Sequence, residues 1–176
     1  MTNEERRAAI LQTLCASKKP LTGAQLSEAY GVTRQVIVAD VAILRARHAP
    51  IIATAQGYVV LPEAPRAHVR QTIAARHSAN PQDMRAELYT IVDNGATVLD
   101  VTVEHPVYGE MTGNLRLSSR VDVDMFIDKL AQARAEPLLV LTGGLHLHTI
   151  EGPDRSVIER VLQALLQQGY LADDKH

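Results

Sequence analysis

The sequence predicts an α+β protein in two parts, and three observations predict it. Helical periodicity fills the first third of the chain and gives way to a short alternating hairpin. A proline-containing stretch, Leu61-Pro62-Glu63-Ala64-Pro65, then reads as a stiff linker. Beyond it come runs in the order strand, helix, strand, strand, helix, strand. This is the order of a split βαβ-like α/β sandwich, with helices on one face of a largely antiparallel sheet. The expected domains are 1–62 and 66–174.

In the first domain, apolar residues at Ala8, Ile10, Leu11 and Leu14 form a helical stripe within Asn3 to Ala16, and Pro20 ends the element. Cys15, the single cysteine, is expected in the core of this helix. Thr22 is placed to cap a second short helix with Leu26 and Ala29 inward, and Gly31 to make the turn after it. Thr33 caps a third helix, Arg34 to Arg47, on which Ile37, Val41 and Leu44 share one face. Ile51–Ala53, a turn at Ala55-Gln56-Gly57, and Tyr58–Leu61 then make a hairpin.

Two helices around a glycine turn, the second opening with Thr33-Arg34-Gln35, have the form of a helix-turn-helix, and the hairpin supplies its wing. Arg34, Gln35, Val38 and Arg45 fall opposite the apolar face. At the start of such a helix, Arg pairs with guanine, Gln with adenine, and Val touches a thymine methyl. Arg45 and Arg47 are assigned to phosphates, which position without specifying sequence.

The net charge of −2 divides unevenly. Residues 1–62 carry seven Lys/Arg against four Asp/Glu, and residues 63–176 eleven against sixteen, so a basic head sits on an acidic body. With 46% hydrophobic residues, no Trp and one Phe, the cores must be aliphatic. One cysteine allows no intrachain disulfide, no apolar run is long enough to span a bilayer, and the polar start is unlike a secretory signal. These features point to a cytoplasmic protein with no membrane association.

In the second domain, a strand is expected around Val69–Ala75, a helix over Pro81–Asn94 stopped by Gly95, and a strand over Val98–Val103. A turn at Pro106–Gly109, a strand near Glu110–Ser118 and a helix over Val121–Ala135 follow. A strand from Leu138 into Gly143-Gly144, the stretch His146–Glu151 and a helix over Pro153–Gly169 complete it. His146 and His148 flank Leu147, so strand geometry sets both imidazoles on one face as two adjacent ligands for one metal. His77 ends the first strand, Glu87 lies in the next helix, and His105 precedes a turn. Neutral imidazoles with a carboxylate favour nickel, zinc, iron or cobalt over magnesium or calcium. His48, His68 and His176 are read as ordinary polar histidines.

Two sets of residues resemble a known family. Leu21-Thr22-Gly23, Thr33 to Val38, Ile51 to Thr54 and Gly57-Tyr58 resemble the amino-terminal domain of nicotinic-acid-responsive repressors of NAD biosynthesis. Asp100 to Gly109 and Gly144 to Glu151 resemble their three-histidine (3H) domain. The resemblance implies a homodimer on a palindromic operator, repressing genes of NAD synthesis or niacin uptake. It implies nicotinic acid or a related pyridine as co-repressor and a transition metal, nickel or zinc first, held by His77, Glu87, His146 and His148. His105 would then line the effector pocket, with Arg116 as a cation for the carboxylate. The interval from His77 to Glu87 is ten residues against eight in the family pattern, with the extra length in Ser78-Ala79-Asn80-Pro81. Alternatives are a repressor whose signal is the metal itself, a metal that only staples the domain, and a metal-dependent hydrolase using Glu104 or Glu151 as base.

Overall fold

The computed structural model describes residues 1–61 and 68–172, so the linker stretch from residue 62 onward and His176 lie outside the described residues. The chain forms two compact units, Met1–Ala64 and Pro65–His176.

Unit 1 runs α1 (Asn3–Ala16), α2 (Gly23–Tyr30), α3 (Arg34–Ala46), β1 (Ile51–Thr54) and β2 (Gly57–Val60). Side chains capture the orphan N–H groups at each helix start. Thr2 and Glu5 form a reciprocal capping box on α1, Thr22 and Gln25 another on α2, and Thr33 takes the Val36 N–H on α3. Such caps are worth about 1 kcal/mol each. The three helices close on Ile10, Leu14, Leu26, Ile37, Val41 and Leu44, with Ile51 from the wing. Leu21 exchanges both backbone hydrogen bonds with Tyr58, which ties the hairpin to the loop before α2.

Three inward assignments fail in this unit: Cys15, Ala8 and Ala29 are exposed. Ile10 and Leu14, one turn apart, define the buried line of α1. Cys15, one residue past Leu14, is rotated about 100° away from it.

Unit 2 runs β3 (Val69–Arg76), α4 (Pro81–Asp93), β4 (Thr97–His105), β5 (Gly109–Leu117), α5 (Arg120–Ala133), a 3-10 helix (Leu138–Thr142), β6 (Leu145–Gly152) and α6 (Arg155–Gln167). The sheet order is β3-β6-β4-β5 and every neighbouring pair is antiparallel. β3 and β4 are therefore parallel to each other with β6 between them, a split βαβ unit around α4. The helices pack on one face, α4 on β4, α5 on β5 and α6 on β3 and β6. That face carries Ile73, Ala75, Val98, His146, His148 and Ile150, all buried.

The strand expected from Leu138 is instead the 3-10 helix. Pro137 opens it, and Gly143 and Gly144 both adopt positive φ behind it, so the chain reverses into β6 rather than extending. Among the described residues no helix is long and apolar enough to cross a membrane.

Candidate functional site

The apolar stripe of α4 is buried at Met84, Leu88, Ile91 and Val92, and Glu87 sits inside it, 1% exposed. Asn80 caps the helix and Pro81 occupies its first turn, so the loop after β3 is short and brings His77 over Glu87. His146 and His148 reach the same point from β6, their strand partners being Ala75 and Ile73. Three imidazoles converge on one carboxylate oxygen. Glu87 Oε2 lies 2.7 Å from His77 Nε2, 3.3 Å from His146 Nε2 and 3.4 Å from His148 Nε2. The ten-position interval therefore still brings His77 and Glu87 together.

The far side of each ring settles its tautomer. His77 Nδ1 bonds the Ser78 carbonyl at 2.7 Å, His146 Nδ1 that of Gly144 at 2.9 Å, and His148 Nδ1 that of Asp100 at 2.6 Å. A carbonyl only accepts, so each Nδ1 carries a proton and each Nε2 is the atom turned toward Glu87. Glu87 Oε1 is buried with no hydrogen-bond partner. Lone pairs facing a carboxylate repel unless protons or a cation lie between them. Hence the donor set fits a transition metal, with the three carbonyls as the outer supports that metal-bound histidines use. Ligand atoms of His77, Glu87 and His146 lie within 4.8 Å of one another, and His148 Nε2 approaches the same Glu87 oxygen at 3.4 Å.

Protonation follows the same geometry. Burial alone would raise Glu87, but the imidazoles hold it well below the usual carboxylate range. Burial would lower His77 and His148, yet their hydrogen bonds to Glu87 and its charge hold both above the ordinary histidine value.

A cavity of about 160 Å³ opens against this cluster. His146, His148 and Glu87 form one wall; Met84, Leu88, Phe126, Leu130, Leu138 and Leu139 supply most of the rest. The sequence reading missed these apolar residues because three separate helices bring them together.

His105 and Arg116 do not line that cavity. His105 caps the β4–β5 turn, its Nδ1 accepting from the N–H groups of Val107 and Tyr108, with its ring against Tyr108. Arg116 lies between the buried Leu115 and Leu117, with φ +57, where the register of β4 and β5 shifts. The charges that act on it are Glu151, Arg70 and Asp100.

In unit 1 the exposed surface of α3 carries Arg34, Gln35, Val38 and Arg45, and Val38 is 46% exposed. The stem of Arg34 lies over Gly23 at the start of α2. Arg47 is exposed and pairs with Glu4. Its guanidinium meets both Glu4 carboxylate oxygens at 2.9 and 3.0 Å, and Arg47 with Arg7 pulls Glu4 down to about 2. Asp40, buried on α3, receives Arg6 at 2.6 Å and Arg7 at 3.3 Å, which joins α1 to the recognition helix. A charged residue between Ile37 and Val41 on the apolar side of α3 was the available sign of that pairing.

A helix-turn-helix head joined to a separate sensor-like domain with a buried ligand cluster defines a DNA-binding regulator. Residues 6–59 match the HTH domain family and residues 70–174 the 3H domain family. The chain is 43% identical to the probable transcription repressor NiaR of Thermotoga maritima over 171 residues, covering 97% of this chain and 95% of that protein. It is 44% identical to the transcription repressor NadR of Bacillus subtilis over 171 residues, covering 96% and 94%. The chain belongs to this family of 3H-domain transcription repressors. The family comprises repressors, not enzymes, which sets the hydrolase alternative aside.

Proposed function

We propose that this protein is a cytoplasmic, homodimeric repressor of NAD biosynthesis or niacin uptake genes, with nicotinic acid as co-repressor and nickel or zinc in the 3H domain. The observation that carries this reading is the cavity on the histidine cluster. Its 160 Å³ compares with an apolar cavity of roughly 150 Å³ that accepts one benzene molecule. One pyridine ring fits such a volume, and a dinucleotide does not. The metal would be held by His77, Glu87, His146 and His148 and would act as a Lewis acid toward the carboxylate or the ring nitrogen. The apolar walls exclude water from the ring, and the carbonyl supports fix the imidazoles.

Ligand binding at this site regulates the operator by population shift. The occupied state favours one dimer geometry, in which the two α3 helices are spaced about one turn of DNA apart.

The test is thermal unfolding of metal-loaded protein with nicotinic acid, nicotinamide and NAD. Nicotinic acid at a hundred times its Kd is expected to add about 2.7 kcal/mol. The increment should vanish in His146→Ala and His148→Ala. No shift with any of the three across several metals would remove the nicotinate reading. Operator binding that follows metal alone would make the metal the signal.

The head is tested separately on operator DNA. Arg34→Ala should cost about 1–3 kcal/mol and relax preference at one base pair. Arg45→Ala should weaken all sequences alike and lower the salt slope by about one. Equal losses on operator and random DNA for Arg34→Ala would remove its base-reading role.

A further inference from the structure

The cavity has a floor that the sequence reading passed over. Gly113 lies in the middle of β5, paired with Val101, and lines the cavity. A glycine inside a strand weakens it and is ordinarily there for a backbone reason or a close approach. Neither is visible among the described residues. Gly113 is not among the positive-φ glycines, so its backbone accepts any residue. A Cβ built there would meet only Leu138 Cδ1 and Val101 Cγ1, at 3.5 Å each, which is ordinary van der Waals contact. Both are themselves lining residues, so a side chain would grow into the cavity.

We infer that Gly113 is a specificity-determining residue of the effector site. Its missing side chain leaves room for the flat ring of a small aromatic acid against β5, with the ring's polar end toward the histidine wall. This rests on the reading that nicotinic acid occupies the cavity. Alanine would narrow the slot by a methyl, and valine would place three carbon atoms where the ring lies. The effect is confined to the ligand, because the proposed metal-binding side chains come from the loop after β3, from α4 and from β6.

The experiment measures nicotinic acid binding by calorimetry to metal-loaded wild type, Gly113→Ala and Gly113→Val, alongside metal affinity and the unfolding midpoint without nicotinic acid. Alanine is expected to weaken nicotinic acid about tenfold, as one misplaced methyl in an apolar pocket does. Valine is expected to abolish binding. Metal affinity should stay at the wild-type value, and the alanine midpoint should equal or exceed it, since the strand loses a glycine. Wild-type nicotinic acid affinity in both variants would overturn the inference while leaving the proposed function intact. A lowered alanine midpoint would show a structural glycine and overturn it too. Failure of the wild type to bind nicotinic acid would remove the proposed function and this inference together.

Discussion

Glu87→Gln is expected to cost the protein its transition metal while leaving unit 2 folded. The change is isosteric, but it replaces an anionic ligand with a neutral amide at the point where three Nε2 atoms meet. Losing an outer-shell support typically lowers metal affinity 10–100-fold, so losing the charged ligand itself should exceed about 100-fold. Competition titration against a chelator of known affinity reads this directly, and a loss under tenfold would show that Glu87 is not a ligand.

The same variant has a distinctive response to pH. In metal-free wild type, His77 and His148 are held above 6.5, so their contribution is fully present below 6.5 and is lost as pH rises through the folded values. Glu87 is held below 4.5, so its contribution is present above 4.5 and is lost as pH falls through its folded value. Metal-free stability should therefore peak between these limits and decline above about pH 6.5. Metal reverses that slope, because ligands shed protons to bind and affinity grows with pH. Glu87→Gln should flatten the metal-free decline, since an amide N–H donates to an imidazole lone pair that a carboxylate opposes. Denaturant midpoints across pH 5–8, with and without nickel, separate the three curves. Parallel slopes for loaded and metal-free wild type would contradict a metal at this cluster.

The parts of this site differ in how far the sequence exposed them. His146 and His148 were legible because a strand alternates and Leu147 alone separates them. Glu87 had a local signal as well, a carboxylate inside the buried stripe of Met84, Leu88 and Ile91. That His77 meets it depends on how α4 lies on the sheet, which no local pattern encodes, so the resemblance had to supply the pairing. Arg116 was chosen for its charge, and it stands outside the cavity lining, at a shift in the β4–β5 register that no local pattern announces. Leu138-Leu139-Val140-Leu141 reads as a strand by composition, yet Leu139 alone is buried. Its conformation is decided by Pro137 and the glycine pair. The cavity was illegible in principle, because α4, α5, the 3-10 helix and the sheet make it only on packing.

That glycine pair yields the other large effect, a loss of metal affinity without touching a ligand. Gly144 has φ +97, and a Cβ there would lie 2.2 Å from the carbonyl oxygen of His77. The obstacle is backbone, so relief requires His77 and its loop to move away from β6. The Gly144 carbonyl also holds His146 Nδ1 at 2.9 Å and takes the His77 N–H at 3.4 Å, so one displacement disturbs two of the three imidazoles. Gly143 next to it has φ +60 and open space around its Cα. Gly143→Ala should therefore pay only the left-handed backbone penalty, about 1–2 kcal/mol, and keep wild-type metal affinity. Gly144→Ala should lose several kcal/mol of unit 2 stability, of the order seen for severe backbone conflicts, and about 100-fold in metal affinity. The two alanines differ by one position in the chain and by nothing in chemistry. If both variants bind metal like wild type, the close approach of Gly144 to His77 does not position the centre. If only Gly144→Ala fails, the backbone contact between β6 and the β3–α4 loop is what sets His77 over Glu87.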